Sequence, residues 1–162
     1  MKKTPITCNR ETGVAKQKGK KSHVYNKSKL YKYKGNFSWK GIKIEKYKKT
    51  GRGWSDIVRQ TLIGNHGETT KFHLRYFEIA PGGYSSFEMH RHEHVVIGIR
   101  GKGLCIVRNR RSAGVGKTYD IGFLDMLYIE PGAPHQLRNT FSEPFGFFCI
   151  VNAKRDRPKI LE

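Results

Sequence analysis

Acidic residues are scarce in this chain, with 13 Asp and Glu set against 32 Lys and Arg for a formal net charge of +19. The shortage is local. Residues 1–50 hold 16 Lys and Arg against only Glu11 and Glu45, whereas residues 51–162 hold 16 against 11 acids. The first stretch also lacks the apolar surface needed to offset its ordering entropy, so a disordered basic tail is expected over 1–36 and one domain over 37–157. Such a tail is drawn to nucleic acid or anionic surfaces in a salt-dependent way, or it serves only to keep the protein in solution. Tyr25, Tyr31, Tyr33, Phe37 and Trp39 lie among the lysines. They could stack on bases, but Phe37 and Trp39 read better as the first apolar residues of the domain. Residues 1–50 carry no apolar 3.6 period and so no helix-turn-helix, and nucleic acid is the less favoured partner.

Cysteine is equally thin. Cys8, Cys105 and Cys149 make neither a CxxC pair nor an even set, which excludes a disulfide scaffold and a cysteine-built zinc site. Cys105 and Cys149 lie in apolar runs, GLCIV and FFCIV, as expected of buried free thiols in a reducing compartment. No run approaches the ~18 apolar residues of a membrane helix. Met1-Lys2-Lys3 has no apolar stretch after it of the kind that makes a signal peptide. A soluble, cytoplasmic protein with no membrane partner is expected.

Helical periodicity is missing too. What is present after residue 37 is a series of short apolar segments punctuated by Gly and Pro, the habit of an all-β fold. Ile42–Ile44, Ile57–Ile63, Lys71–Ile79, His94–Arg100, Leu104–Arg108, Met126–Glu130, His135–Asn139 and Phe145–Val151 read as strand-like. Pro81-Gly82-Gly83 is expected to end its strand, and Gly101-Lys102-Gly103 to form a hairpin turn. So many short strands require a sandwich or a closed barrel.

Histidine is where the chain is rich. In Glu88-Met89-His90-Arg91-His92-Glu93-His94, the period of two places Glu88, His90, His92 and His94 on one face of an extended segment. Four ligand-competent side chains on one face are hard to explain as packing, and imidazoles with a carboxylate suit a divalent transition metal. One strand cannot enclose an ion. His135, directly after the turn Pro131-Gly132-Ala133-Pro134, is the natural further ligand. His23 lies in the tail, His66 in a turn, and His73 on a strand as a weak pocket candidate.

These segments resemble the two motifs of the cupin family. Gly82, five residues, Glu88, one residue, His90, three residues, His94, six residues and Gly101 follow the spacing of the first motif. Leu124, five residues, Glu130, Pro131, Gly132, two residues, His135, three residues and Asn139 follow that of the second. Glu88 and His94 exchange the family's first histidine and its glutamate, while Leu124 and Glu130 stand where the family has glycine and proline. The resemblance implies a cupin-type antiparallel β-barrel, also described as a double-stranded β-helix or jelly roll. It also implies one divalent metal (Fe, Mn, Ni or Zn) held by Glu88, His90, His94 and His135 inside the barrel, with coordination positions left open. His90, His92, His94 and His135 with Glu88 behind them is the alternative set.

The same resemblance implies a metalloenzyme of dioxygenase, isomerase or lyase type acting on a small oxygenated molecule. A metal- or ligand-binding sensor without turnover is the second reading. Arg75, Tyr76, Phe147 and Cys149 are candidate pocket residues. Arg75 reads more readily as a surface charge, and Cys149 as a buried thiol rather than a nucleophile. A homodimer is expected, with Val95, Ile97 and Ile99 as the pairing face or, alternatively, packed against the barrel's own second sheet.

Overall fold

The computed structural model describes residues 28–48, 52–68, 70–109, 116–154 and 156–161. Within them the chain forms β1 (Tyr33–Gly35), β2 (Ser38–Trp39), β3 (Glu45–Lys46), β4 (Ser55–Ile63), β5 (Phe72–Tyr84), β6 (Glu88–Met89) and β7 (His94–Arg100). β8 (Gly103–Val107), β9 (Lys117–Ile121), β10 (Met126–Ile129), β11 (His135–Arg138), β12 (Phe145–Asn152) and β13 (Lys159–Ile160) complete the series. No helix among the described residues is long and apolar enough to cross a membrane.

All pairings are antiparallel. One layer runs β10-β7-β12-β5-β4-β3, and the other runs β9-β8-β11-β6-β13. The layers meet where Arg138 of β11 pairs with Tyr84 of β5, giving a nearly closed all-β barrel, as expected. Alternation along each strand sends one set of side chains inward. Ile79, Val96, Cys105 and Phe145 are fully buried there, each of the larger ones contributing about 1.5–3 kcal/mol. Phe77 stacks on Phe147 at 5.4 Å between ring centroids, and Tyr47 packs edge-on against Phe77 at 5.8 Å.

Residues 28–36, the end of the expected tail, are placed. β1 pairs with β2, and this short hairpin lays Phe37 flat on Tyr76, with Trp39 against Phe148, on the outer face of the barrel. The basic segment before it, with His23 and Cys8, lies outside the described residues.

Three expectations are corrected. Pro81-Gly82-Gly83 does not end its strand: β5 continues to Tyr84, and two steps along β4 match five along β5 between Ser55 and Ile57. The surplus forms a bulge, where a residue lacking an N–H is tolerated. Asn139 holds it: the side-chain amide donates to Ile79 O (2.9 Å), and the backbone of Asn139 bonds both Gly82 and Gly83. Second, β7 and β8 are not a hairpin. β7 pairs with β10 and β12, and β8 with β9 and β11, because Gly101 (φ 58°) carries the chain across from one layer to the other. Third, Ile42–Ile44 forms no strand. Ile44 is exposed, and the pairing begins instead at Glu45.

The turn between β9 and β10 sits tightly on β7. Leu124 N donates to Gly98 O (2.9 Å) and Gly98 N to Asp125 O (3.0 Å). Leu124, which stands where the family motif has glycine, takes the left-handed φ of 64° there. A leucine in that region carries a steric cost and, being mostly exposed, gains little from burial. Leu124→Gly is expected to raise stability by about 0.5–1 kcal/mol, the relief of strain less the added freedom of the unfolded chain. Urea unfolding measures it, and an unchanged or lowered midpoint would contradict the account.

Candidate metal centre

The segment from Glu88 to His94 is not one extended strand. It bends at Arg91–His92 between β6 and β7, and the bend turns a flat row of ligands into a concave one. His135 pairs directly with Glu88 across β11 and β6, so both project into the barrel. The turn before His135 is tied to the same segment by Gly132 N donating to His90 O (2.7 Å). Glu88, His90, His92, His94 and His135 are all buried.

The imidazoles are crowded. Ring centroids of His90 and His94 lie 4.0 Å apart, His94 and His135 5.0 Å, His90 and His135 5.4 Å. His92 lies 5.1 Å from His90 and 5.0 Å from His94. Glu88, His90 and His135 present ligand atoms within 4.8 Å of one another, and so do His90, His92, His94 and Asp156. Asp156 is a residue that the motif spacing gives no means of finding. It stands on the C-terminal strap, where Lys159 and Ile160 of β13 pair with β6.

The protonation states suit a cation. His135 Nδ1 lies 2.9 Å from the Ala133 carbonyl, which can only accept. That nitrogen therefore bears the proton and Nε2 keeps its lone pair free for a metal. His94 Nε2 is buried with no hydrogen-bond partner. Burial, followed by the neighbouring His90, His135 and His92, pushes His94 down to about 2, so it is neutral at ordinary pH. Burial also lowers His135. Burial would raise the Glu88 carboxyl, but His90, Lys48 and Ser86 outweigh it and hold the group down at about 2. His90 is raised despite its burial, because Asp156 and Glu88 face its two ring nitrogens at 3.3 and 3.1 Å. A cation bound there would take the place of that proton.

Glu88 is held from behind. Ser86 Oγ donates to Glu88 Oε2 (2.5 Å), Lys48 Nζ donates to the same oxygen, and the Tyr47 hydroxyl lies 3.4 Å from Oε1. The cavity in front has a volume of about 520 Å³, in the range of small-molecule sites. Arg75, Phe147 and Cys149 line it, whereas Tyr76 does not. Neighbours on a strand point to opposite faces, so Arg75 and Tyr76 cannot share the cavity, and Tyr76 is the one turned outward under Phe37. His73 is half-buried and accepts from Arg75 through Nδ1 (3.0 Å), and His66 bonds Thr61 O in the turn after β4 (2.8 Å).

Residues 75–151 match the family described as the cupin domain. The chain is 34% identical over 129 residues to 1-methylthio-D-xylulose 5-phosphate methylsulfurylase of Rhodospirillum rubrum, covering 79% of this chain and 77% of that protein. Among solved structures, a cupin 2 conserved barrel domain protein of Rhodopseudomonas palustris superposes with a TM-score of 0.71 at 33% identity, over 83% of this chain and 87% of that one. A cupin-2 domain protein of Rhodospirillum rubrum gives 0.67 at 30%, over 82% and 84%.

Cys149 Sγ lies 3.9 Å from His94 Nδ1, at the cavity wall. Burial pushes both this thiol and that of Cys105 up to about 12. Alkylation requires thiolate, so raising the pKa slows it and raising the pH speeds it. At pH 7.5 the peptides carrying Cys105 and Cys149 should label with iodoacetamide at least about a hundredfold more slowly in the native protein than in urea. Labelling of Cys149 at the rate of a free cysteine would contradict this.

Proposed function

The chain belongs to the cupin family, and from that premise we propose that it is a metal-dependent enzyme acting on a small oxygenated molecule in the cavity beside Glu88. The observation that carries the reading is that His90 belongs to two converging sets of ligand atoms, one with Glu88 and His135 and one with His92, His94 and Asp156, inside one buried wall of the cavity. Glu88, His90, His94 and His135 are the proposed ligands, while His92 and Asp156 share a ligand-atom cluster with His90 and His94. A bound divalent ion would supply a Lewis acid that polarises a carbonyl or a pair of substrate oxygens.

The chain's own groups supply the rest. Tyr47, Ser86 and Lys48 fix the orientation of Glu88 and keep it ionised, so that it is pre-organised. Phe77, Phe147, Leu137 and Val151 make the remaining wall apolar and exclude water. Arg75 puts a positive charge on the cavity wall, which favours an anionic substrate. The activity named for the Rhodospirillum rubrum relative is consistent with a small phosphorylated keto-sugar thioether as that substrate.

We also propose that two copies pair through the outer face of β7, β10 and β12. Val95, Ile97, Met126, Tyr128 and Ile150 share that face by register, beside the Phe148 that Trp39 covers, and Met126 and Tyr128 are exposed on it. An apolar strip across three strands is what a self-complementary interface needs.

Protein purified without a polyhistidine tag should carry about one Fe, Mn, Ni or Zn per chain. His94→Ala and His135→Ala should each lose metal and turnover together, tested first on 1-methylthio-D-xylulose 5-phosphate and then on sugars and diketones with dioxygen uptake followed. No stoichiometric metal after reconstitution with each ion would overturn the enzyme reading. Metal without turnover would leave a binding module. Sedimentation should give a dimer that Tyr128→Lys with Met126→Lys converts to a monomer; a monomeric wild-type protein would count against the pairing.

A further inference from the structure

Two arginines stand on one inner face of the barrel beyond the histidines. Arg59 of β4 pairs with Phe77 of β5, and Thr61 with Arg75, so Arg59 and Arg75 occupy diagonal positions on the same side of the sheet. Both line the cavity. Like charges at that spacing repel, and each guanidinium is matched by one carboxylate: Glu45 lies 3.0 Å from Arg59, and Asp156 binds Arg75. The Nε donors of both arginines are nevertheless buried without a hydrogen-bond partner. The pair therefore offers more donors than the acids around it use.

Asp156 is the one acid of this group that faces both an arginine and the histidines. Glu45 sits on a strand paired with β4, and Glu88 is gripped from three sides. The backbone N–H of Asp156 donates to Asn152 O (3.1 Å), and Asp156 precedes a two-residue strand, β13, held on β6 through Lys159 and Ile160 and by Leu161 N donating to Phe87 O (2.9 Å). One carboxylate on a short strap occupies the place where a ligand's anionic group would meet the Arg75 fork.

We propose that Arg75, assisted by Arg59, is a phosphate-binding subsite of this cavity, and that Asp156 is a built-in anion which a phosphate ester displaces. This rests on the reading that the substrate enters beside Glu88. Two guanidiniums match a phosphate dianion in charge, and the planar fork of arginine binds its oxygens in pairs. Displacement moves Asp156 away from both Arg75 and His90, so occupancy of the subsite is coupled to the charge facing the histidine cluster. Arg75 is thereby a specificity-determining residue that selects phosphorylated over unphosphorylated molecules.

The test is calorimetric titration of the metal-loaded full chain with inorganic phosphate, ribose 5-phosphate and ribose, with metal content measured on every variant. Ribose 5-phosphate should bind at least tenfold more tightly than ribose. Arg75→Gln should abolish that preference, Arg75→Lys should restore part of it, and Asp156→Asn should tighten phosphate binding severalfold by removing the internal competitor. Unchanged affinity in Arg75→Gln, or no tightening in Asp156→Asn, overturns the subsite. Should the wild type hold no metal, yet phosphate binding still follow Arg75 and Asp156, the metalloenzyme reading fails and the subsite stands.

Discussion

A carboxylate buried inside a barrel must be compensated, and the interior around Glu88 is arranged to do that. Removing an ion from water costs several kcal/mol unless charge and hydrogen bonds replace the lost hydration. Lys48, Ser86 and Tyr47 come from the segments around β3 and β6 to meet one side of it, and His90 meets the other. The pairing of β6 with β11 sets His135 opposite, and the bend after β6 brings His92 and His94 round. A metal ion would be the remaining positive charge on the open side of this cluster.

The motif residues outside the ligand set do mechanical work for the same centre. Asn139 fastens the bulge at Pro81–Gly83, which lets β5 reach β11 and close the layers. Gly132 ties the turn before His135 to the backbone of His90. Gly101 passes the chain between layers, and a Cβ there would lie 2.3 Å from Pro144 O. Ligand positions and barrel closure are thus set by the same few backbone contacts. This is why the spacing survives here while the order of histidine and glutamate does not.

Most of the barrel was legible because strand periodicity and glycine punctuation are local signals. Strands β4, β7, β10, β11 and β12 fall within a residue or two of where the apolar runs place them. The grouping of the histidines is legible as well, though a bend at Arg91–His92, and not one extended strand, brings them together. What escaped was non-local. The partners of β7 and β8 depend on which layer each joins, which no short segment encodes. β9 and β13 are short and largely polar, so neither shows an apolar run. Arg75 reads in sequence as a surface charge, yet it lines the cavity, while Tyr76 on the opposite face of β5 packs under Phe37. Asp156 reaches the site because a two-residue strand folds back onto β6, and nothing near it in the chain announces a ligand.

The central claim is that the Glu88–His135 pair and the bend between β6 and β7 together build one metal site. Diffraction from crystals of the metal-loaded protein, recorded on both sides of the ion's absorption edge, tests it most directly. One anomalous peak within bonding distance of Glu88, His90, His94 and His135 is the predicted result. A peak bound instead by His92 and Asp156, or no peak inside the barrel, would contradict it.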